Sequence, residues 1–266
     1  MKKILIYFIR WFSDWVRSYK TRYLCVSRQL KLVAPTSGPY LIIVPHADDE
    51  LIGCHQFIQN HLDNVTIFYC GFLGSNPSEE NRAVRAGEFV RYCQNVGVNY
   101  VCAENDIRHS LYTYLDELKP CTLLLPSYID WHKEHRKVNE YLIDYLDTHK
   151  DSTIQSLIWY HISVPLYGGD ANFASLMNEQ QQRAKWDYFE DTYLSQKTIN
   201  IKRFVLAERD CIEDSYAAET FLVMDKNTFC MKMKMLINKE QELDNLKGLL
   251  NDYNTLVQQS SFLYKL

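Results

Sequence analysis

The chain has little glycine and little proline, 9 and 7 among 266 residues, so it is neither collagen-like nor a low-complexity linker. It has no basic block either. Lysines and arginines number 29 against 33 aspartates and glutamates, a formal net charge of −4. That balance excludes the electrostatic footprint of a nucleic-acid binder, and no nucleic-acid partner is expected. There is no C-x-x-C pair. The eight cysteines (Cys25, Cys54, Cys70, Cys93, Cys102, Cys121, Cys211 and Cys230) are scattered, most of them inside apolar runs. This usage suits buried thiols in a reducing, cytoplasmic setting better than a disulfide framework or a cysteine-based zinc site.

Long hydrophobic runs are missing as well. The opening segment MKKILIYFIRWFSDWVRSYK starts like a signal peptide, but Arg10 interrupts the apolar run and no small-residue cleavage site follows. The run is too short to span a bilayer. Its Trp11, Phe12, Trp15 and Val16 beside Lys2, Lys3, Arg10 and Arg17 form an amphipathic helix. Two uses fit that helix: peripheral contact of residues 1–20 with the inner face of a membrane, or packing on the protein's own surface.

What is present is the composition of an ordinary globular protein, 47% hydrophobic and 23% charged. After a Pro/Ser/Gly stretch, Tyr40–Val44 is a continuous apolar run of the kind buried parallel strands show. Similar runs recur at residues 65–70, 98–103, 122–125 and 157–162, with helical patterns between them, one of which ends at Gly97. The alternation predicts an α/β fold: a Rossmann-like, mostly parallel sheet covered by helices on both faces. Three regions are expected: an amphipathic helix and linker over 1–38, an α/β domain over 39–225, and a helical extension over 226–266 packed on the same domain. The extension carries apolar positions Met233, Leu236, Leu243, Leu246, Leu250 and Leu256, and it either packs there or forms an oligomer contact.

Two clusters carry the chemistry. The first strand runs straight into His46-Ala47-Asp48-Asp49-Glu50, one imidazole and three carboxylates opening a helix. In open α/β sheets ligands bind at the carboxyl ends of strands, so the cluster stands where a site is expected. The same residues also suit helix capping, with Asp48 as N-cap and Asp49 and Glu50 favoured by the helix dipole. The second cluster follows the strand ending at Pro126-Ser127, where Asp130, His132, Glu134 and His135 fall within six residues. Histidines flanked by carboxylates are what a zinc site and its supporting hydrogen bonds require. Although 86 residues separate His46 from His132, strand ends of one parallel sheet lie side by side, and capping alone does not call for two His/Asp-rich clusters at one edge.

These residues resemble the LmbE-like, or PIG-L-type, zinc-dependent N-acetylglucosaminyl deacetylases. His46-Ala47-Asp48-Asp49-Glu50 is similar to the family's H-P-D-D-E signature, with Ala47 in place of proline. His132-Lys133-Glu134-His135 after Pro126-Ser127 is similar to its H-x-D-H signature, with Glu134 in place of aspartate. Between them Arg85-Ala86-Gly87-Glu88, leading to Val96-Gly97, resembles an R-x-x-E helix. Farther on, Tyr193-Leu194-Ser195-Gln196 and the 216–221 segment ending in Glu219-Thr220-Phe221 resemble weaker elements. The resemblance spans about residues 40–221.

The resemblance implies that His46, Asp49 and His135 bind Zn²⁺, with Fe²⁺ able to occupy the same ligands. Asp48 would be the general base for the attacking water, and His132 would donate to the tetrahedral oxyanion and the leaving amine. Asp130 and Glu134 are candidates to orient the histidines. Arg85 resembles a substrate-contacting residue buttressed by Glu88; an i,i+3 surface ion pair is the alternative. The implied activity is removal of an acetyl group from an N-acetylated amino sugar, on a sugar nucleotide, glycoside or glycolipid. An amidase acting on another acyl-amine, and a catalytically silent glycan-binding relative, are the competing readings. His55, His61, His109, His149 and His161 have no competing ligand spacing and are expected to be structural or solvated. Tyr167 and Asp170, in a loop at the same sheet edge, are candidates to line a sugar pocket.

Overall fold

The computed structural model describes residues 38–74, 78–166, 170–196, 199–210, 217–249 and 253–266. The expected N-terminal amphipathic helix, Tyr167, Tyr216 and Leu250 lie outside those residues.

Five strands alternate with helices as the apolar runs predict. They are β1 (Tyr40–Val44), β2 (Val65–Tyr69), β3 (Asn99–Cys102), β4 (Thr122–Pro126) and β5 (Ser156–Tyr160). The helices between them are α1 (Asp49–Asn60), α2 (Glu79–Val96), α3 (Ile107–Leu118) and α4 (Lys133–Thr148). All neighbouring pairs in the order β3-β2-β1-β4-β5 are parallel. The strand order reverses between β1 and β4, which is the topological switch point where such sheets form a crevice. Helix α2 ends on Gly97, whose φ of 78° is the left-handed C-cap expected of a glycine there.

Two further strands extend the sheet where sequence patterning gave no run. Strands β6 (Phe173–Met177) and β7 (Ala217–Asp225) complete the order β3-β2-β1-β4-β5-β7-β6. β7 is antiparallel to both its neighbours, so the sheet is mixed at one edge and parallel elsewhere. Helices α5 (Glu179–Thr192) and α6 (Ile201–Asp210) lie between β6 and β7 in the chain.

Alternate residues of the central strands feed two cores. Leu41, Ile43, Leu123, Leu125, Leu157 and Trp159 join one cluster, while Ile42, Val44, Leu124, Ile158 and Tyr160 join the other. Both faces being covered is what makes these strands continuously apolar. Leu51, Cys54, Phe57 and Ile58 of α1 and Phe89 and Tyr92 of α2 cover the second face. The first face is covered by α4 and by the C-terminal helices α7 (Lys226–Leu236), α8 (Glu240–Asn245) and α9 (Tyr253–Tyr264). Met233, Leu236, Leu243, Leu246 and Leu256 are fully buried there. The extension therefore completes the core of the α/β sheet. Among the described residues no helix is long and apolar enough to cross a membrane.

Candidate metal centre and its cleft

The two sequence clusters meet at the carboxyl edge of adjacent strands β1 and β4. His46 Nδ1, Asp49 Oδ2 and His135 Nε2 form a nearly equilateral triangle: His46 to Asp49 is 3.2 Å, His135 to Asp49 is 3.3 Å, and His46 to His135 is 3.1 Å. Ligands of a four-coordinate ion at about 2.05 Å would stand roughly 3.3 Å apart, so the triangle matches one face of a tetrahedron. Two ring nitrogens and a carboxylate oxygen that converge this closely need a proton or a cation among them, and the donor set of two imidazoles and one carboxylate suits a divalent metal.

The surroundings hold the triangle in place. The His46 backbone N–H donates to Asp49 Oδ2 at 2.9 Å, so carboxylate and main chain are fixed together. Asp130 Oδ2 lies 3.0 Å from His135 Nδ1, which presents Nε2 to the triangle. Asp130 is itself pinned, accepting from the His132 N–H at 2.8 Å and the Ser163 N–H at 3.3 Å. Burial acts to raise the Asp49 pKa and lower that of His135, but the ion pairing between them prevails: Asp49 lies below the usual carboxylate range and His135 is pushed up to about 10.

Asp48 precedes α1 with a φ of 122°, rare for a residue with a Cβ, and its side chain makes no capping hydrogen bond. The capping explanation of the first cluster thus fails for the residue that it needed. Asp48 is 5% exposed and its Oδ1 stands 3.6 Å from Arg85 Nη2. Burial and the neighbouring Asp49 charge raise its pKa well above normal, with Arg85 opposing. Glu50 is fully buried, accepts from the Tyr193 hydroxyl, and has its pKa raised by burial to about 8.

His132 is exposed at the N-terminus of α4, its ring 5.9 Å from that of His46 and 5.0 Å from that of His135. Desolvation lowers its pKa against the pull of Asp130. Three sequence expectations need correction. Glu134 lines the cleft but, among the described residues, makes no hydrogen bond or ion pair with either histidine. Glu88 does not buttress Arg85: its carboxylate accepts from the Ser195 N–H at 2.8 Å and Oγ–H at 2.6 Å. Asp170 does not line the cleft either. The remaining histidines sit elsewhere: His55 against Tyr92, His61 against Phe57, His149 stacked on Tyr145, His161 against Tyr264, and His109 exposed.

The triangle opens into a cleft of about 720 Å³, whose walls include Arg85, Trp131, His132, Gln196, Arg203 and Lys247. Trp131, Arg203 and Lys247 escape sequence reading because nothing local marks them. Gln196 sits in a segment whose resemblance signalled it, held by the bond between Ser195 and Glu88.

No family model and no curated protein matches this sequence. Solved structures share its fold. A teicoplanin-pathway deacetylase in its bog complex is 12% identical with a TM-score of 0.54, over 71% of this chain and 98% of that one. The zinc-inhibited form of the teicoplanin deacetylase Orf2 is 11% identical with a TM-score of 0.53, over the same shares. The conserved protein TT1542 from Thermus thermophilus is 17% identical with a TM-score of 0.51, over 70% of this chain and 94% of that one.

Proposed function

We propose that the chain is a metal-dependent hydrolase of the LmbE-like, PIG-L-type kind that removes the acetyl group from an N-acetylated amino sugar. The observation that carries this reading is the His46–Asp49–His135 triangle with Asp48 and His132 flanking it. The shared fold of the teicoplanin deacetylases supports it.

His46, Asp49 and His135 would hold Zn²⁺ or Fe²⁺, and a metal bound there supplies Lewis acidity that lowers the pKa of water and polarises an acyl oxygen. The chain's own groups do the rest. Asp48, buried beside Asp49 and ion-paired to Arg85, accepts the proton of the attacking water. His132, at the cleft wall with no capping duty for its side chain, donates to the oxyanion and passes a proton to the departing amine. Asp130 accepts from His135 Nδ1 and so leaves Nε2 as the ring nitrogen that would hold the metal with His46 and Asp49. Arg85 positions Asp48 and reaches the cleft where the sugar lies.

A silent binding relative would need neither Asp48 nor His132, and both are present. The testing experiment measures metal content and acetate release together, on wild type, His46→Ala and His135→Ala. About one metal per chain in wild type, lost in both variants along with acetate release from N-acetylglucosamine glycosides, is the expected result. Metal retained in both variants, or no binding by wild type after adding Zn²⁺, overturns it.

A further inference from the structure

Tyr264, on the last turn of α9, is buried at the carboxyl edge of the sheet. Its hydroxyl stands 2.9 Å from Ser127 Oγ and 3.2 Å from His161 Nδ1. Ser127 directly follows β4 and His161 directly follows β5, so one hydroxyl bonds the segments that leave two neighbouring strands. A phenol has one proton to give and lone pairs that accept, and either order of donation along Ser127–Tyr264–His161 completes the chain. The backbone of Tyr264 is fixed as well, because buried Lys232 of α7 donates to its carbonyl at 2.6 Å.

Both bonded segments lead to Asp130. Ser127 Oγ also accepts the Ile129 N–H at 3.1 Å, and the next residue is Asp130 itself. Two residues after His161, the Ser163 N–H donates to Asp130 Oδ2 at 3.3 Å, the same oxygen that lies 3.0 Å from His135 Nδ1. The Tyr264 hydroxyl therefore joins the segment that carries the carboxylate to the segment that aims it. The extension reaches the same place again from α8, where Asp244 accepts from Arg136 Nη2 while Arg136 Nη1 donates to the Asp130 carbonyl at 2.9 Å. Residues 226–266 lie beyond the stretch of about 40–221 over which the sequence resembles the deacetylases, so these holds belong to the added part of the chain.

We infer that Tyr264 is a positioning residue for the metal centre, its hydroxyl holding the Ser127 and His161 segments together so that Asp130 stays in place to accept from His135 Nδ1. The inference rests on the reading of the His46–Asp49–His135 triangle as a metal site. Tyr264→Phe keeps the ring and removes the hydroxyl, leaving Ser127 Oγ and His161 Nδ1 each one partner short. Zn²⁺ affinity is read by competition with a chelator on wild type, Tyr264→Phe, Asp130→Ala, the double variant of these two, and Leu256→Val. Outer partners of a metal-binding histidine are commonly worth about 10–100-fold in affinity. Because Arg136 still holds the Asp130 carbonyl, Tyr264→Phe is expected at the low end, about tenfold. In the Asp130→Ala background it should cost nothing more, since the carboxylate through which it acts is gone. Leu256→Val trims a fully buried side chain eight residues earlier on the same helix and should keep the wild-type affinity. Equal affinity of Tyr264→Phe and wild type, additive losses in the double variant, or a like loss in Leu256→Val overturns the inference.

If wild type binds no Zn²⁺, it is the metal reading that fails, and the positioning is judged on the metal-free protein by proton NMR. The His135 Nδ1–H proton bonded to Asp130 is identified by its loss in Asp130→Ala. In Tyr264→Phe it should exchange with water about fivefold faster, the worth of one net hydrogen bond; an unchanged rate overturns the inference.

Discussion

Asp130 joins the two histidines of the second cluster, with Oδ2 3.0 Å from His135 Nδ1 and Oδ1 accepting the His132 backbone N–H at 2.8 Å. One carboxylate therefore fixes the ring of a proposed ligand and the main chain that presents the proposed acid. Outer partners of this kind commonly account for about 10–100-fold in metal affinity. Asp130→Ala is expected to weaken Zn²⁺ binding by that factor, read by competition with a chelator. Unchanged affinity would show that the surrounding packing alone orients His135.

Gly53 marks a second constraint on the same site. A Cβ placed there would meet Tyr160 Cδ2 at 2.4 Å, and Tyr160 cannot easily retreat because it is fully buried and its hydroxyl donates to the Ile43 carbonyl at 2.8 Å. Helix α1, which carries Asp49, has to move instead. Gly53→Ala is expected to cost about 1–3 kcal/mol in urea unfolding and to weaken metal binding as well. A variant as stable as wild type would mean that the two elements part at no cost.

Much of this was legible in local sequence. The five parallel strands show as apolar runs because both faces of each are covered, and the metal triangle shows because each cluster is a short segment at a strand end. The antiparallel edge did not show. β6 holds a buried Ser175 and an exposed Leu176, so it has no apolar run, and residues 217–221 read as part of a motif and not as a strand. The tertiary pairings in and around the cleft were hidden for a related reason: Arg203 against Trp131 at its wall, and Glu88 against Ser195 and Lys185 against Glu219 behind it, are made by the fold, with no spacing that announces them. The role expected of Glu134 failed because neighbouring positions on a helix project about 100° apart, so Glu134 shares the cleft with His135 without bonding to it.

Lys185 ties α1 to the far edge of the sheet. It is fully buried, 2.7 Å from both Glu208 and Glu219, and donates to the Ile52 carbonyl at 2.9 Å. Glu219 in turn accepts from the N–H groups of Gln56 and Phe57. Lys185→Met leaves two carboxylates buried without their cation, a change that costs about 3–5 kcal/mol in comparable cases. Chemical denaturation should register a loss of that order, and a loss under about 1 kcal/mol would indicate that water reaches the carboxylates.

Acid sensitivity follows from two histidines outside the cleft. Burial lowers the pKa of His55 and of His161 to about 3, with Lys185 adding to the effect at His55. Unfolded, each titrates near 6.5. Their contribution is fully present above pH 6.5 and declines toward pH 3, because the unfolded chain takes up protons that the folded chain refuses; the slope is at most about 1.4 kcal/mol per pH unit for each. Between pH 7 and pH 5 the double variant His55→Gln/His161→Gln should lose less stability than wild type. Equal losses would place the acid sensitivity in other groups.

Asp48 sets stability against chemistry. With its φ of 122° and its buried carboxylate beside Asp49, it holds a backbone conformation that costs on the order of 1–3 kcal/mol for a residue with a Cβ. Glycine adopts that conformation without the penalty. Asp48→Gly is therefore expected to be more stable than wild type by about 1 kcal/mol and to retain the metal, since none of the three ligands changes. Its turnover should fall by about 10²–10⁴-fold, the usual worth of a positioned proton acceptor. Asp48→Asn, which keeps the strain and loses the base, should share the loss of turnover without the gain in stability. Turnover retained in both variants while zinc stays bound would remove Asp48 from the proton transfer, and equal stability of the glycine and asparagine variants would remove strain from the account.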